Sequence, residues 1–360
     1  MKRTPFFELH RKAGGKIVPF AGFEMPVQYT GIIDEHKVVR NTVGVFDVSH
    51  MGEFAVTGED AELFLQKVTI NDVSKLIPGK AQYSAMCFDD GGIVDDILLY
   101  KLTPDSFMVV VNAANVEKDF DWMKKHCPPN VSFENKSDDI ALLAIQGPKS
   151  LATIAKLTGT DLTKIPYYGF VNGSVADVEM IISRTGYTGE LGFELYFPVA
   201  DAEKVWYALF DAGKEFSIAP VGLGARDTLR LEMGYCLYGN DIDQTTNPLE
   251  AGLGWITKLN KGEFIGRPVL EKIKQDGLQR KLVGMVLEER AVPRHGYTIF
   301  SGETHVGSIT SGTFAPSLEK GIAMGYVPLH IAEAGASVSI DIRGKKSHAK
   351  ISPLPFYKKN

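Results

Sequence analysis

Two adjacent carboxylates, Asp95 and Asp96, stand in the run GGIVDDILLY, which otherwise reads as buried strand. Ionised carboxylates are costly to bury without partners, so the pair marks either chemistry or a tight structural network. On a strand, side chains alternate between faces. Ile93, Asp95, Ile97 and Leu99 therefore share one face, and Val94, Asp96, Leu98 and Tyr100 the other. The two acids cannot act as a dyad on one ligand. Periodicity does not say which of them faces a ligand, and a turn cap or a basic partner would account for either. In SRTGYTGELGFEL, Gly186, Gly189 and Gly192 recur every third residue around Tyr187, Glu190 and Glu194. That pattern suits a Gly-rich hairpin loop. It equally suits backbone close to a flat ligand, with Tyr187 stacking and one Glu accepting hydrogen bonds. In GLGARDTLRLEMGY, Arg226 and Arg230 fall one helical turn apart, with Asp227 and Glu232 nearby. A salt-bridged helix face would explain them. Arg226, at the helix start, could instead point inward.

Other chemistries lack their residues. There is no G-x-S-x-G elbow and no Walker A loop. VGLGARD has Asp227 where a dinucleotide fingerprint needs Gly. The eight His form no metal-ligand spacing with Cys. Net charge is −5, from 39 basic and 44 acidic residues, which argues against a nucleic-acid surface. No apolar stretch reaches the roughly 20 residues of a membrane span. The N-terminal MKRTPFFELHRKAGG has no apolar h-region, which argues against a secretory signal. Cys87, Cys127 and Cys236 are odd in number and far apart, as expected of a reducing cytoplasm.

The elements that must position these residues are α+β. Helices are expected near 32–41, from about 59, over VEKDFDWMKKHC and over ADAEKVWYALFDAGKEF. A strand is expected at 82–88, and a hairpin joins IVDDILLYKL to FMVVVNAA through TPDS. SVADVEMIISRTGYTGELGFELYFP reads as two strands with a Gly-rich loop between them. Beyond about 275, short strands between Gly turns read as a small all-β barrel. RGKKSHAK puts Arg343, Lys345, Lys346 and Lys350 at one turn: a solvated hairpin, or a basic rim that steers an acidic partner.

Ten motifs in order carry a resemblance: FAGFEMPVQY, VGVFDVSHMGEF, NDV, GGIVDDILLY, VNAAN, ALLAIQGP, SRTGYTGELGFEL, GLGARDTLRLEMGY with LYGND, EAGLGW and SGTFAPSLEKGIAMGYV. Over nearly the whole chain it resembles the T-protein family of the glycine cleavage system, the aminomethyltransferases. The K-G-C-Y-x-G-Q signature of a related iron–sulfur maturation protein is replaced by MGYCLYGND. The resemblance implies a three-domain, cloverleaf-like arrangement: two α+β domains with antiparallel sheets and a C-terminal β-barrel or jelly-roll-like domain. Residues 1–50 with 135–245 would form one domain, 51–134 an inserted one and 275–360 the third, with 246–274 connecting. It implies tetrahydrofolate as co-substrate, with no metal or nucleotide, and a lipoylated H-protein as partner.

Asp96 matches the family's catalytic carboxylate, and Asp95 is then structural. Tyr83, Asn112, Tyr168, Tyr187, Glu194, Arg226 and Tyr357 would bind folate. Met51, Leu98, Val110 and Trp255 would form apolar wall. Position 98 is often β-branched in the family, so Leu98 alters that contour. A carboxylate such as Glu194 suits the parallel N–H donors of a pterin, and aromatic rings suit its flat face. The alternatives are another folate-dependent C1 transferase, such as a demethylase, and a non-catalytic folate-binding regulator.

Overall fold

The structure, a computed structural model, describes residues 1–359. It is α+β with antiparallel sheets and a closed C-terminal barrel, as the element order leads one to expect. Two compact units share the chain. Unit 1 takes Met1–Gln66, Val73–Tyr83 and Ile97–Arg226; unit 2 takes Lys67–Asp72, Ser84–Asp96 and the chain from Asp227 onward.

Unit 1 opens with α1 (Phe7–Lys12), the hairpin β1 (Lys16–Phe20) and β2 (Phe23–Gln28), and α2 (Ile32–Asn41). The buried Glu35 carboxylate collects the backbone N–H groups of Tyr29, Thr30 and Gly31 at 2.6, 3.0 and 3.0 Å and that of Gly222 at 2.8 Å. Such charge-assisted bonds tie the start of α2 to a distant loop. Next come β3 (Gly44–Asp47), β4 (Gly52–Thr57) and α3 (Ala61–Val68). A five-stranded sheet runs in the order β5 (Lys80–Cys87), β6 (Ile93–Thr103), β7 (Ser106–Val111), β4, β8 (Ser132–Asn135). The unit limit passes through β5 and β6. One face of this sheet carries Phe54 and Phe133, which meet Phe120 of α4 (Val116–His126). Glu53, Val110, Leu98 and Tyr100 lie on the other.

The second sheet of unit 1 adds β9 (Ile140–Gln146), β10 (Phe170–Val175), β11 (Val178–Ser183), β12 (Gly192–Pro198) and β13 (Ala219–Pro220), in the order β10-β11-β12-β9-β3-β13. All pairs are antiparallel except β13 with β3. α5 (Ser150–Ile154) and α6 (Ala202–Ala212) add Ile154, Val205, Trp206 and Leu209 to a core with Leu143, Ile182 and Leu195. The region from 174 to 198 holds one strand boundary more than the sequence pattern suggests. Ala176 and Asp177, with φ of 54° and 56°, make a tight turn that splits SVADVEM into a β10–β11 hairpin. Such turns favour Asn-Gly, so Ala-Asp gives no turn signal.

α7 (Leu223–Glu232) runs across the unit limit at Arg226–Asp227. Unit 2 holds α8 (Arg267–Asp276) and a six-stranded barrel of β14 (Arg280–Leu287), β15 (Thr298–Ser301), β16 (Thr304–Ala315), β17 (Lys320–Pro328), β18 (Ser337–Ile342) and β19 (Lys345–Ser352). The order is β14-β17-β16-β15-β18-β19, and β14–β19 pairing closes it. Closure removes exposed sheet edges. Val283, Met285, Ile299, Ile309, Val327 and Ile340 fill the interior. The basic turn is not a field of unmatched cations. Lys345, Lys346 and Lys350 pair with Glu289, Glu303 and Glu288 at 3.2, 2.7 and 3.6 Å.

Candidate active site

The candidate residues divide between the units. Met51, Tyr83, Leu98, Val110, Asn112, Tyr168, Tyr187, Glu194 and Arg226 belong to unit 1, and Asp96, Trp255 and Tyr357 to unit 2.

In unit 2 the alternation of β6 holds. Asp95 is fully buried and Asp96 half-buried. Tight backbone contacts fix the start of this strand. Gly91 has φ 86°, and a Cβ on Gly92 would come within 2.1 Å of the Gln244 carbonyl. The Ile93 N–H donates to the carbonyls of Asp243 and Thr246 at 3.1 and 3.0 Å, and the Tyr238 hydroxyl donates to the Ile93 carbonyl at 3.0 Å. Segment 238–246 therefore clamps Gly92 and Ile93 at the start of the strand that carries the acid pair. Nearby, burial and then the charges of Asp241 and Asp96 push the Cys236 thiol well up, so it is a poor nucleophile at neutral pH. The Tyr357 N–H donates to the Glu232 carbonyl at 2.9 Å, and Trp255 is 63% exposed. Burial also pulls Lys261 down to about 7 while its ammonium donates to the carbonyls of Thr69 and Asn71 at 2.6 and 2.8 Å.

Arg230, one turn beyond Arg226, is structural. It donates to Asp241 at 2.7 Å, to Asp227 at 2.8 Å, to Ser311 at 2.8 Å and to the Tyr235 carbonyl at 3.0 Å. This is the salt-bridged reading of the helix, realised in a buried network.

In unit 1 the central group is Glu194, on β12. Thr185 donates its hydroxyl to this carboxylate. Thr185 in turn lies 2.9 Å from Ser183 Oγ and 3.2 Å from the Tyr100 hydroxyl, which is 3.0 Å from that of Tyr196. Tyr100 comes from the five-stranded sheet, Ser183 and Tyr196 from the six-stranded one and Thr185 from the loop after β11, so a hydroxyl relay joins the two sheets and ends on Glu194. Burial raises the Glu194 carboxyl, against the pull of the Thr185 hydroxyl and the Arg226 charge. Arg226 lies over the Tyr187 ring, 4.8 Å from its centroid. An acceptor, a cation and an aromatic face thus gather in one region of unit 1. Leu98 and Val110 are register partners across β6 and β7. Tyr168 adopts φ 58°, and its backbone donates to Arg184 at 3.1 Å and accepts from Ala81 at 2.8 Å. Non-Gly residues hold that conformation at a cost of about 1–3 kcal/mol, and such sites cluster at functional positions.

The glycine spacing has a protein cause. A Cβ on Gly186 or Gly192 would come within 2.1 or 2.3 Å of the Gln146 side chain. Gln146 donates to the Thr185 carbonyl at 3.2 Å and accepts from Thr188 Oγ1 at 2.9 Å. These two glycines admit a buried carboxamide rather than a flat ligand. Glu190 pairs with Arg40 at 3.1 Å, which sets it apart from Glu194.

Two buried groups of unit 1 carry no signal that the sequence reading used. Burial, then the Arg226 charge, lowers His50 to about 4, and its Nδ1 has no hydrogen-bond partner among the described residues. Burial, then the Glu194 charge, raises the Glu53 carboxyl well above the usual carboxylate range. Both sit in VSHMGEF, which entered the sequence reading only as part of a family motif. Among the described residues no cluster of three or more His, Cys, Asp or Glu has the arrangement of a metal site. No helix is long and apolar enough to cross a membrane.

The GCVT N-terminal domain model matches residues 6–261, and the glycine cleavage T-protein C-terminal barrel domain matches 280–358. An aminomethyltransferase of Bacteroides thetaiotaomicron is 55% identical, over 99% of this chain and 100% of its own length. One of Chloroherpeton thalassium is 54% identical over 100% of both. The crystal structure of the glycine cleavage system aminomethyltransferase T from Bartonella henselae is 36% identical, with a TM-score of 0.93 over 99% of this chain and 98% of that one. The chain belongs to the T-protein family of the glycine cleavage system and is an aminomethyltransferase.

Proposed function

We propose that the chain takes the aminomethyl group –S–CH2–NH3+ from the lipoyl arm of H-protein and moves its methylene carbon to tetrahydrofolate. The C–S and C–N bonds break and two C–N bonds form. The N5 and N10 hydrogens leave with the thiol and the ammonium, so 5,10-methylenetetrahydrofolate, ammonium and dihydrolipoyl H-protein result. No protein nucleophile is required. Holding the two reactants in line supplies most of the acceleration, an effect worth roughly 7–11 kcal/mol. Asp96 orients the reacting nitrogens and stabilises the cationic carbon.

The observation that carries this reading is the arrangement around Glu194. Its hydroxyl-held carboxylate, with the Arg226 guanidinium over the Tyr187 ring, supports recognition of a flat ring edge bearing two N–H donors. The same reading assigns Tyr83, Asn112, Tyr168 and Tyr357 to folate and Met51, Leu98, Val110 and Trp255 to its apolar surroundings. It keeps 1–50 with 135–245, 51–134 and 275–360 as the three domains, no metal or nucleotide in the reaction, and the cytoplasm as the compartment. Tetrahydrofolate-dependent ammonia release from aminomethylated H-protein tests it. Turnover of a small N-methyl substrate without H-protein would mean a demethylase, and folate binding without turnover a regulator.

A further inference from the structure

Tyr168 stands in a turn from Pro166 to Gly169, closed by the Gly169 N–H on the Pro166 carbonyl at 2.7 Å. Its φ of 58° falls at the third position of that turn, where a type II turn ordinarily takes Gly or Asn. A glycine does follow, but for another reason: a Cβ on Gly169 would come within 2.8 Å of Pro166. The strained residue is the tyrosine itself, and a bulky side chain keeps such a conformation only where its surroundings impose it. Both of its backbone groups are taken up. The N–H donates to the Arg184 carbonyl at 3.1 Å, and the carbonyl accepts at 2.8 Å from Ala81 on β5, two residues before Tyr83.

Arg184, the residue after β11, meets this turn at three points. Its carbonyl takes the Tyr168 N–H, its own N–H donates to the Gly169 carbonyl at 2.8 Å, and its guanidinium donates from Nη1 to the Ile165 carbonyl at 2.9 Å. The first two bonds are main-chain and extend the β10–β11 ladder, in which Phe170 pairs with Ser183. A residue of another type at 184 could make them. The third needs a long side chain with a donor at its tip, and it fixes the buried residue that enters the turn. We infer that Arg184 is a positioning residue for folate: its guanidinium pins the start of the 165–169 loop, holds Tyr168 in its left-handed conformation and so sets the direction of its ring. The inference rests on the reading of Tyr168 as a folate residue. In SRTGYTGELGFEL the ligand chemistry falls to Tyr187 and Glu194, and Arg184 gains a separate task on the neighbouring loop. Without the pin, Tyr168 relaxes toward negative φ, which redirects its Cα–Cβ bond and opens the turn.

The experiment has two arms on the full chain. Without folate, amide hydrogen exchange of residues 165–170 should be about tenfold faster in Arg184→Met, the scale of one lost hydrogen bond, and unchanged in β12. Arg184→Lys, which keeps a donor, should return it to near the wild-type rate. Wild-type exchange in the Met variant, or equal acceleration across β12, would refute the pin whatever the enzyme binds. In steady-state kinetics, Arg184→Met should raise the KM for tetrahydrofolate about tenfold with kcat changed less than about twofold, and Arg184→Lys should bring KM back to within about threefold. In a Tyr168→Ala background the same Met substitution should change KM less than about twofold, because the ring it positions is gone. A Met variant with wild-type KM, or a Met effect undiminished in the Tyr168→Ala background, would overturn the positioning role. Tyr168→Ala with wild-type KM would instead defeat the folate reading of Tyr168, leaving exchange to decide the pin.

Discussion

Thr185 shows what a single side chain does in this cluster. Its hydroxyl donates to the Glu194 carboxylate, and three further hydroxyls, those of Ser183, Tyr100 and Tyr196, back it. A hydrogen bond to a charged group contributes about 1.5–3 kcal/mol. Thr185→Val should therefore raise the KM for tetrahydrofolate roughly tenfold or more with little effect on kcat, and Thr185→Ser should recover it. Equal KM values for the Val variant and wild type would exclude the relay from binding. His50 makes a different prediction. It is neutral in the folded chain down to about pH 4, but an unfolded His binds a proton near 6.5. Its contribution is thus complete above about pH 6.5 and is lost as pH falls toward 4, to a total on the order of 3 kcal/mol. Urea unfolding at pH 7.5 and 4.5 should show a smaller pH dependence in His50→Gln than in wild type; equal slopes would mean that His50 is not buried neutral. At this level the sequence was partly legible. Alternation separated Asp95 from Asp96, because a strand's period is two. His50 and Glu53 were illegible because burial without a partner is a tertiary property that no local spacing encodes.

β12 and the loop before it depend on a fit that glycine alone permits. Gln146 fills the space beside Gly186 and Gly192 and is bonded at both ends of its carboxamide. Gly186→Ala should destabilise the chain by about 1–3 kcal/mol through overpacking. Combined with Gln146→Ala, the double variant should be markedly more stable than the two single effects summed, because the second change opens the space the first requires. Strict additivity in denaturant unfolding would disprove this packing. Long periodic elements were readable: α2, α4 and α6 lie where apolar spacing and end signals put them. The β10–β11 hairpin was not, since Ala176-Asp177 adopts a turn normally marked by Asn-Gly. The glycine triplet was visible as a pattern, but its partner Gln146 lies about 40 positions away in sequence, on another strand.

For the whole molecule, fold class, barrel and family were all legible, since ordered motifs run through nearly the full chain. The charge of the C-terminal hairpin left two readings open, a solvated turn and a basic rim. Lys345 and Lys346 face Glu289 and Glu303, so the turn is close to balanced. Exposed pairs of this kind contribute about 0–1 kcal/mol. Lys345→Glu with Lys346→Glu should leave the association rate with H-protein at low salt within about twofold of wild type. A large, salt-sensitive loss would restore the turn as a docking rim. The central claim is that Asp96, and not its neighbour, serves the transfer. The most direct measurement is tetrahydrofolate-dependent ammonia release from aminomethylated H-protein by Asp96→Asn and Asp95→Asn, with folate affinity taken by calorimetry on the same samples. Asp96→Asn should bind folate within about threefold of wild type and lose roughly 10²-fold or more in turnover, the scale of one lost electrostatic stabiliser. Asp95→Asn should chiefly lower the melting temperature. An active Asp96→Asn beside a well-folded, inactive Asp95→Asn would contradict the assignment.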